Sequence, residues 1–245
     1  MSQQVVILAA GKGTRMGSDI PKVLLPLHGQ PVIKHVLNEV SNLILETSPV
    51  LVVGYKEELV KQELGDEYIY VTQFDQKGTA HAVMSAQPKI SAQNFIVLYG
   101  DMPFTSLRSL QKLSDLHQSN DAKISMFTAI LPDFQEEHEH FLGFGRIIRD
   151  KQGNICKIVE YKDASPEEQE ITEVNPGIYM FNSKWVWEQL KKIGSQNSQQ
   201  EFYLTDVIEL AIKDGQKIFS LPIAAEEVYG INTPEHLEFA RKLTD

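Results

Sequence analysis

Cysteine is nearly absent from the sequence, since Cys156 is the only one among 245 residues. Because a single thiol cannot form an internal disulfide, we expect a protein of a reducing compartment, the cytoplasm. Cys156 lies in the alternating segment ICKIV, which predicts a strand and a buried structural thiol rather than a nucleophile.

Basic residues are scarce relative to acids. The chain has 23 Lys and Arg against 33 Asp and Glu, which gives a formal net charge of -10. This balance argues against a nucleic-acid-binding surface, which needs dense positive charge. No apolar run reaches the roughly 18 residues that suggest a membrane-spanning helix, and the N-terminal MSQQVVILAA lacks the basic region of a secretory signal. Neither a nucleic acid nor a membrane is therefore an expected partner.

Internal repeats, low-complexity tracts and linker-like segments are also missing, so we expect a single domain over residues 1–245. In the first half, candidate strands alternate with helical patterns. The strands are VVILA, VLVVGY, YIYV and FIVLYGD, and the helices include PVIKHVLNEVSNLILE, KEELVKQEL and GTAHAVMSA. This alternation predicts an α/β fold with a Rossmann-like, mixed but mainly parallel sheet flanked by helices.

The second half departs from this rhythm. GRIIRDKQGNICKIVEY predicts two strands around a turn at 151–154, and EVNPGIYMFN, KIFSLPI and VYGIN each predict a strand. EFYLTDVIELAIKDG predicts a helix in which Asp206 and Glu209 form a capping box. The last helix is expected to begin with Thr233 as its N-cap and Pro234 at its first position.

The loop LAAGKGTRMGSDIPKVLLP directly follows the first predicted strand and carries a local excess of positive charge. It contains three cations, Lys12, Arg15 and Lys22, and several small residues that let backbone N–H groups approach a phosphate. A glycine-rich turn with solvated charges is the alternative. Two common phosphate loops are excluded, because Gly13 follows Gly11-Lys12 where a P-loop needs Ser or Thr, and Met16 stands where the dinucleotide fingerprint needs glycine.

Other polar residues stand near the ends of predicted elements. Asp101 in YGDMP ends a strand, a favourable place for Mg²⁺, although an Asp at a turn before proline is the alternative. Thr79 in QFDQKGTAHAV fits a helix cap, Asn232 in GIN fits the approach to the last helix, and Glu160 fits a solvated strand position. The HEH of QEEHEHFLG lacks a third metal ligand at useful spacing and is interpreted as a solvated loop without function.

Taken together and in order, these motifs resemble the sugar nucleotidyltransferases, and in particular the uridylyltransferase domain of bacterial bifunctional N-acetylglucosamine-1-phosphate uridylyltransferases. The matching segments cover nearly the whole chain: LAAGKGTRM, PKVLLPLHGQP, QFDQKGTAHAV, YGDMP, GFGRI, IVEYKDA, EVNPGIY, FYLTD and GIN. The resemblance implies an enzyme of nucleotide-sugar and cell-envelope biosynthesis. It would use Mg²⁺ to join UTP and a sugar 1-phosphate, most simply N-acetylglucosamine 1-phosphate.

The resemblance also implies residue roles, with the nucleotide bound by the N-terminal half and the sugar phosphate by the C-terminal half. Arg15 and Lys22 would be catalytic, and Asp101 and Asn232 would ligate the metal. The implied substrate-binding residues are Leu8, Ala9, Ala10, Gly11, Gln73, Gln76, Gly78, Thr79, Tyr99, Gly100, Gly145, Glu160, Asn175, Tyr203 and Thr205.

The sequence departs from the family pattern at two positions, with Pro176 where threonine is usual and Tyr229 where an acid is usual. No hexapeptide repeat follows residue 230, so neither a left-handed β-helix nor the acetyl transfer of the bifunctional enzymes is expected. Three alternatives stay open: a uridylyl- or thymidylyltransferase for another sugar phosphate, a non-catalytic nucleotide-sugar-binding module, and a dehydrogenase, which the missing fingerprint glycine disfavours. Self-association into a homo-oligomer is also left open.

Overall fold

A computed structural model describes residues 2–243, so Met1, Thr244 and Asp245 of the expected domain lie outside the described residues. The strands are β1 Gln3–Ala9, β2 Pro26–Leu27, β3 Gln30–Pro31, β4 Val50–Val53, β5 Ile69–Thr72, β6 Asn94–Tyr99, β7 Ile124–Ile130, β8 Gly145–Arg149, β9 Ile155–Val159, β10 Glu173–Asn175, β11 Tyr179–Asn182 and β12 Ile218–Pro222. The α-helices are α1 Val32–Val40, α2 Glu57–Leu64, α3 Thr79–Ala86, α4 Leu107–Ser119, α5 Pro166–Gln169, α6 Ser183–Leu190, α7 Asp206–Lys213 and α8 Pro234–Lys242. No helix within residues 2–243 is both long and apolar enough to cross a bilayer.

One large sheet organises these elements. Its strand order is β5-β4-β1-β6-β11-β7-β10-β8-β9, and β12 pairs in parallel with β7. The pairs β5-β4, β4-β1 and β1-β6 are parallel, whereas β11, β10 and β9 run against their neighbours. The predicted mixed, mainly parallel α/β sheet is confirmed.

The first strand lies at the centre of the parallel part and is buried on both faces. Val5 and Ile7 pack into the layer that contains α1, α2 and α4, and Val6 and Leu8 pack into the layer that contains α3, α6 and α7. A strand covered on both faces needs an unbroken apolar run rather than an alternating one. After β1 the chain adds β4 and β5 on one side and later returns to add β6 on the other. The loop after β1 therefore lies at a topological switch point, where open α/β sheets bind ligands.

Several local predictions in the second half were wrong. VYGIN is not a strand. Its first residue, Val228, ends a 3-10 turn that begins at Glu226, and the residues after it are irregular. EVNPGIYMFN is divided into β10 and β11, because Pro176 has no N–H for the ladder and Gly177 turns the chain with φ 81. The side chain of Asn175 stabilises this break by accepting a hydrogen bond from Gly177 N at 3.0 Å.

Helix caps and the lone thiol also differ in part from expectation. α7 begins after Thr205 without any side-chain capping bond, so the Asp206 capping box was wrong; a complete capping box instead opens α5 at Ser165. The cap of α8 is confirmed, because the Thr233 side chain accepts from His236 N. Cys156 is exposed rather than buried, and its thiol lies 3.4 Å from Ile148 O of the neighbouring strand β8.

Candidate active site

The loop after β1 folds back on itself and brings its cations together. Gly13 and Gly17 adopt left-handed backbone conformations on either side of a single 3-10 turn, Thr14–Met16, which carries Arg15. A Cβ on Gly13 would lie 2.8 Å from the Cβ of Lys22. Glycine at this position therefore allows the stem of Lys22 to pass close to the loop backbone.

Four residues predicted from distant motifs meet beside this loop. Lys22 Nζ forms an ion pair with Asp101 and donates to Asn232 Oδ1 at 2.8 Å. Arg15 Nη2 donates to the same amide oxygen at 3.2 Å. The structure thus brings both proposed catalytic cations and both proposed metal ligands into one cluster.

The same cluster tests whether a magnesium ion fits. The carboxylate of Asp101 and the amide oxygen of Asn232 both reach the Lys22 ammonium, so the two oxygens are close enough to share one cation. They are hard oxygen donors of the kind that Mg²⁺ takes in small number when phosphates and waters complete its shell. Within residues 2–243, no group of three His, Cys, Asp or Glu side chains could hold a metal. The residues fit an ion that binds together with a nucleotide.

A cavity of about 400 Å³ opens next to this cluster. Among its lining residues are most of those predicted for the nucleotide: Leu8, Ala9, Ala10, Gly11, Gln73, Gln76, Gly78 and Thr79, together with Lys22, Tyr99, Asp101 and Asn232. Gln73 is buried, and its Nε2 donates to Gly78 O at 3.2 Å and to His81 Nδ1 at 3.1 Å. Gln76 Nε2 donates to Ala10 O. The backbone therefore fixes the planes of both amides.

The segment around Gly78 is tied to the second half of the chain. Phe202 N donates to Lys77 O at 2.8 Å and Ala80 N donates to Phe202 O at 3.0 Å. Gly78 has φ 107, and a Cβ there would lie 2.6 Å from Phe202 O. Thr79 is not a side-chain cap, since the N-cap of α3 is Gly78; its hydroxyl instead accepts from Leu204 N at 3.2 Å.

A second cavity, of about 250 Å³, adjoins the first and shares Thr79 and Tyr99 with it. Its walls include the residues predicted for the sugar: Tyr99, Gly145, Glu160, Asn175, Tyr203 and Thr205. Of the remaining predicted residues, Gly100 and Arg15 line neither cavity. Gly100 lies behind the wall, where its N–H donates to Leu8 O at 3.0 Å.

Glu160 is not the solvated strand residue of the alternative interpretation. It follows β9 and precedes a short 3-10 turn. Burial raises the pKa of its carboxyl, and a hydrogen bond from the Thr205 hydroxyl to Oε1, 2.8 Å long, opposes that shift. Because Thr205 occupies one oxygen of the carboxylate, it fixes the orientation of the group at the cavity wall.

Some residues of the cavity walls were missed from the sequence. Met102 and Glu201 line both cavities, and Tyr179 lines the second. The Tyr179 hydroxyl is one of the buried polar atoms in the described part of the chain without a hydrogen-bond partner. Burial raises its pKa strongly, and the nearby Asn175 side chain acts in the opposite direction. No local pattern singles out Tyr179, which begins β11 directly after the break between β10 and β11.

Comparison with known sequences gives matches over nearly the whole chain. The family described as MobA-like NTP transferase domain matches residues 5–156. A bifunctional protein GlmU of Geobacillus sp. (strain WCH70) is 41% identical over 246 residues, which cover 99% of this chain and 52% of that protein. The GlmU of Desulfotalea psychrophila is 40% identical over 240 residues, covering 96% of this chain and 68% of that protein. The chain thus spans about half the length of several curated relatives that it matches.

Solved structures with low sequence identity share the fold. A UDP-glucose pyrophosphorylase complexed with UDP-glucose superposes with a TM-score of 0.81 at 18% identity, covering 100% of this chain and 98% of that one. A putative glucose-1-phosphate thymidylyltransferase from Bacillus anthracis gives a TM-score of 0.74 at 21% identity, covering 99% and 95%. At these identities the likeness establishes the architecture alone.

Proposed function

Because the chain belongs to the MobA-like NTP transferase family, we propose that it is a Mg²⁺-dependent uridylyltransferase for N-acetylglucosamine 1-phosphate. The products are UDP-N-acetylglucosamine and pyrophosphate. The supporting observation is the pair of adjoining cavities, one of which ends at the cluster of Lys22, Asp101 and Asn232. The triphosphate binds in the first cavity and the sugar in the second. We propose that both cavities belong to one domain.

The reaction needs no nucleophile from the protein. A phosphate oxygen of the sugar phosphate attacks the α-phosphorus of UTP, and the bond from that phosphorus to the bridging oxygen of the β-phosphate breaks. The electron pair leaves with pyrophosphate. Since attacking and leaving groups are both anions, catalysis consists of positioning and of neutralising charge.

The positive residues of the loop supply part of that neutralisation. Lys22 bridges the attacking phosphate and the α-phosphate, and Arg15 contacts the leaving pyrophosphate. Asp101 and Asn232 would hold Mg²⁺, which would supply further positive charge against the negative charge of the phosphates. Lys22 contacts those same two oxygens, and an ammonium and a divalent cation repel each other. Lys22 would therefore leave Asp101 for the phosphates once a cation occupied that site.

The two cavities differ in what they recognise. Gln73 and Gln76, with their amide planes fixed, pair with the donor and acceptor groups on the edge of uracil. Glu160 accepts hydrogen bonds from sugar hydroxyls, and Asn175 pairs with the N-acetyl group. Because Asn175 Oδ1 already accepts from Gly177 N, its Nδ2 is the group left to donate to the acetyl carbonyl.

A substrate panel tests this proposal. Pyrophosphate release is measured with UTP, TTP and ATP, each combined with the 1-phosphates of N-acetylglucosamine, glucose and glucosamine, with and without Mg²⁺. We expect UTP with N-acetylglucosamine 1-phosphate to give the highest kcat/KM. Binding of UDP-N-acetylglucosamine without any turnover would identify a binding module instead. Preference for another sugar phosphate would retain the reaction and replace the substrate; Pro176 in the second cavity is the observation that favours this second candidate.

A further inference from the structure

The segment Gly230–Asn232 must hold the Asn232 side chain against Lys22 and Arg15. Each of its three backbone N–H groups donates a hydrogen bond, the middle one to Asp101 and the outer two to histidine rings. Ile231 N donates to the backbone carbonyl of Asp101 at 2.8 Å, which ties the two proposed metal ligands together. Gly230 N donates to His140 Nε2 at 3.2 Å, and Asn232 N donates to His236 Nδ1 at 3.3 Å. Two imidazoles therefore support the segment from the side opposite Asp101.

The solvated-loop interpretation of HEH was wrong for its second histidine. The His140 ring stacks on Tyr229 with centroids 4.2 Å apart and an interplanar angle of 28°, and it meets the His236 ring edge-on at 4.2 Å. His138, two residues earlier, instead contacts Asp133 at 3.2 Å. The two histidines of one motif thus have different environments.

Counting protons fixes the state of both rings. Since a backbone N–H can only donate, His140 Nε2 and His236 Nδ1 must be unprotonated acceptors. Each neutral ring then carries its proton on the other nitrogen, and those two nitrogens lie 3.3 Å apart. Two N–H groups cannot bond to each other, so the contact between the rings is not a hydrogen bond while both backbone hydrogen bonds are made. Burial is the main cause that lowers the pKa of His140 to about 3, and the cations Arg15 and Lys22 act in the same direction.

We propose that His140 and His236 are positioning residues that place the Asn232 amide oxygen for the incoming cation. The role of Asn232 as a metal ligand rests on the proposed function. The hydrogen bonds between the two imidazoles and the segment do not depend on it. Each imidazole gives the segment an uncharged acceptor beside two cations. A carboxylate there would compete for Lys22, and an apolar side chain would leave a backbone N–H without a partner.

Paired substitutions separate the acceptor from the ring. His140→Phe keeps an aromatic ring on Tyr229 and removes the acceptor, whereas His140→Gln restores an oxygen at about the place of Nε2. His236→Phe and His236→Asn form the corresponding pair, with the Asn oxygen at about the place of Nδ1. His138→Phe, in the same motif but at a residue that contacts Asp133, is the matched control.

The first measurement is Mn²⁺ affinity in the presence of UTP, followed by electron paramagnetic resonance. We expect each Phe variant to weaken Mn²⁺ binding about 10- to 100-fold, as loss of a group supporting a metal ligand commonly does. The amide variants should regain most of the affinity, and His138→Phe should match the parent. The KM for sugar phosphate should not change. Gln or Asn variants as weak as the Phe variants would overturn the proposal, because the ring and not the acceptor would then matter.

The second measurement does not depend on catalysis. Hydrogen exchange followed by mass spectrometry reports protection of the peptide that contains residues 230–232. We expect faster exchange there in His140→Phe and parental exchange in His138→Phe. Parental protection in His140→Phe overturns the positioning role even if the enzyme is active. Faster exchange in an enzyme without transferase activity would leave the hydrogen-bond role intact and remove only the proposed function.

Discussion

Gly177→Ala tests whether the second cavity depends on close packing at its wall. Gly177 has φ 81, and a Cβ there would lie 2.7 Å from Cε2 and 2.8 Å from Oη of Tyr99. Tyr99 lies on the wall shared by the two cavities. Since these distances are below any normal contact, the Tyr99 ring must move.

The cost has two separable parts. A left-handed conformation costs a non-glycine residue about 1–2 kcal/mol, and overpacking adds about 1–3 kcal/mol. Gly29 provides a matched control, because it has the same φ of 81 and a Cβ at that position would meet nothing within 4 Å. Gly29→Ala therefore carries the backbone cost alone. Both substitutions also lower the conformational entropy of the unfolded chain by the same amount, so this stabilising effect cancels in the comparison.

The assay compares thermal unfolding and sugar-phosphate kinetics of the two variants. At roughly 2–4 °C per kcal/mol for a chain of this size, Gly177→Ala should melt about 2–12 °C below Gly29→Ala. It should also raise the KM for sugar phosphate, because the displaced ring narrows the cavity, whereas Gly29→Ala should not. Equal melting temperatures with unchanged KM in both variants would refute the reasoning.

The remaining predictions concern charge. Lys22→Ala should lower kcat/KM by a factor equivalent to about 2–4 kcal/mol of transition-state stabilisation, as for other preorganised charge contacts. Unchanged steady-state kinetics would show that Lys22 is a solvated loop residue instead. Chelation should abolish activity and Mg²⁺ should restore it, and Asp101→Asn should raise the Mg²⁺ requirement at least about 10-fold in a titration of rate against metal. Burial raises the pKa of Glu160 in the folded state, so its ionisation removes stability as pH rises from about 4.5 through the raised value. Glu160→Gln should therefore melt higher than the parent at neutral pH, match it well below pH 4.5, and bind sugar phosphate more weakly.

The sequence predicts the fold where one simple physical rule governs a segment. VVILA is apolar throughout because β1 is covered on both faces, and Thr233 with Pro234 meets the requirements of a helix start. VYGIN has the composition of a strand, but Ile231 N bonds to Asp101 O and does not join a ladder. In that segment tertiary contacts override local preference.

The site could be assembled from the sequence only through family resemblance. Lys22 and Asn232 are 210 positions apart, and no periodicity relates them. His140 was invisible for a different reason, since its partner is a backbone N–H, which has no sequence signature. Pattern analysis misses side chains whose hydrogen-bond partner is the backbone of a distant segment.

The place of β11 in the sheet has a consequence for biosynthesis of the chain. This strand is synthesised after β7, β8, β9 and β10, yet it fills the gap between β6 and β7. Until Tyr179–Asn182 has emerged, a nascent chain holds β6 and β7 with unpaired edges, which favour association with other chains. A fragment ending at residue 156 would keep both edges permanently open, so we expect it to aggregate during expression rather than to yield a nucleotide-binding module. The central sheet thus becomes complete only late in translation.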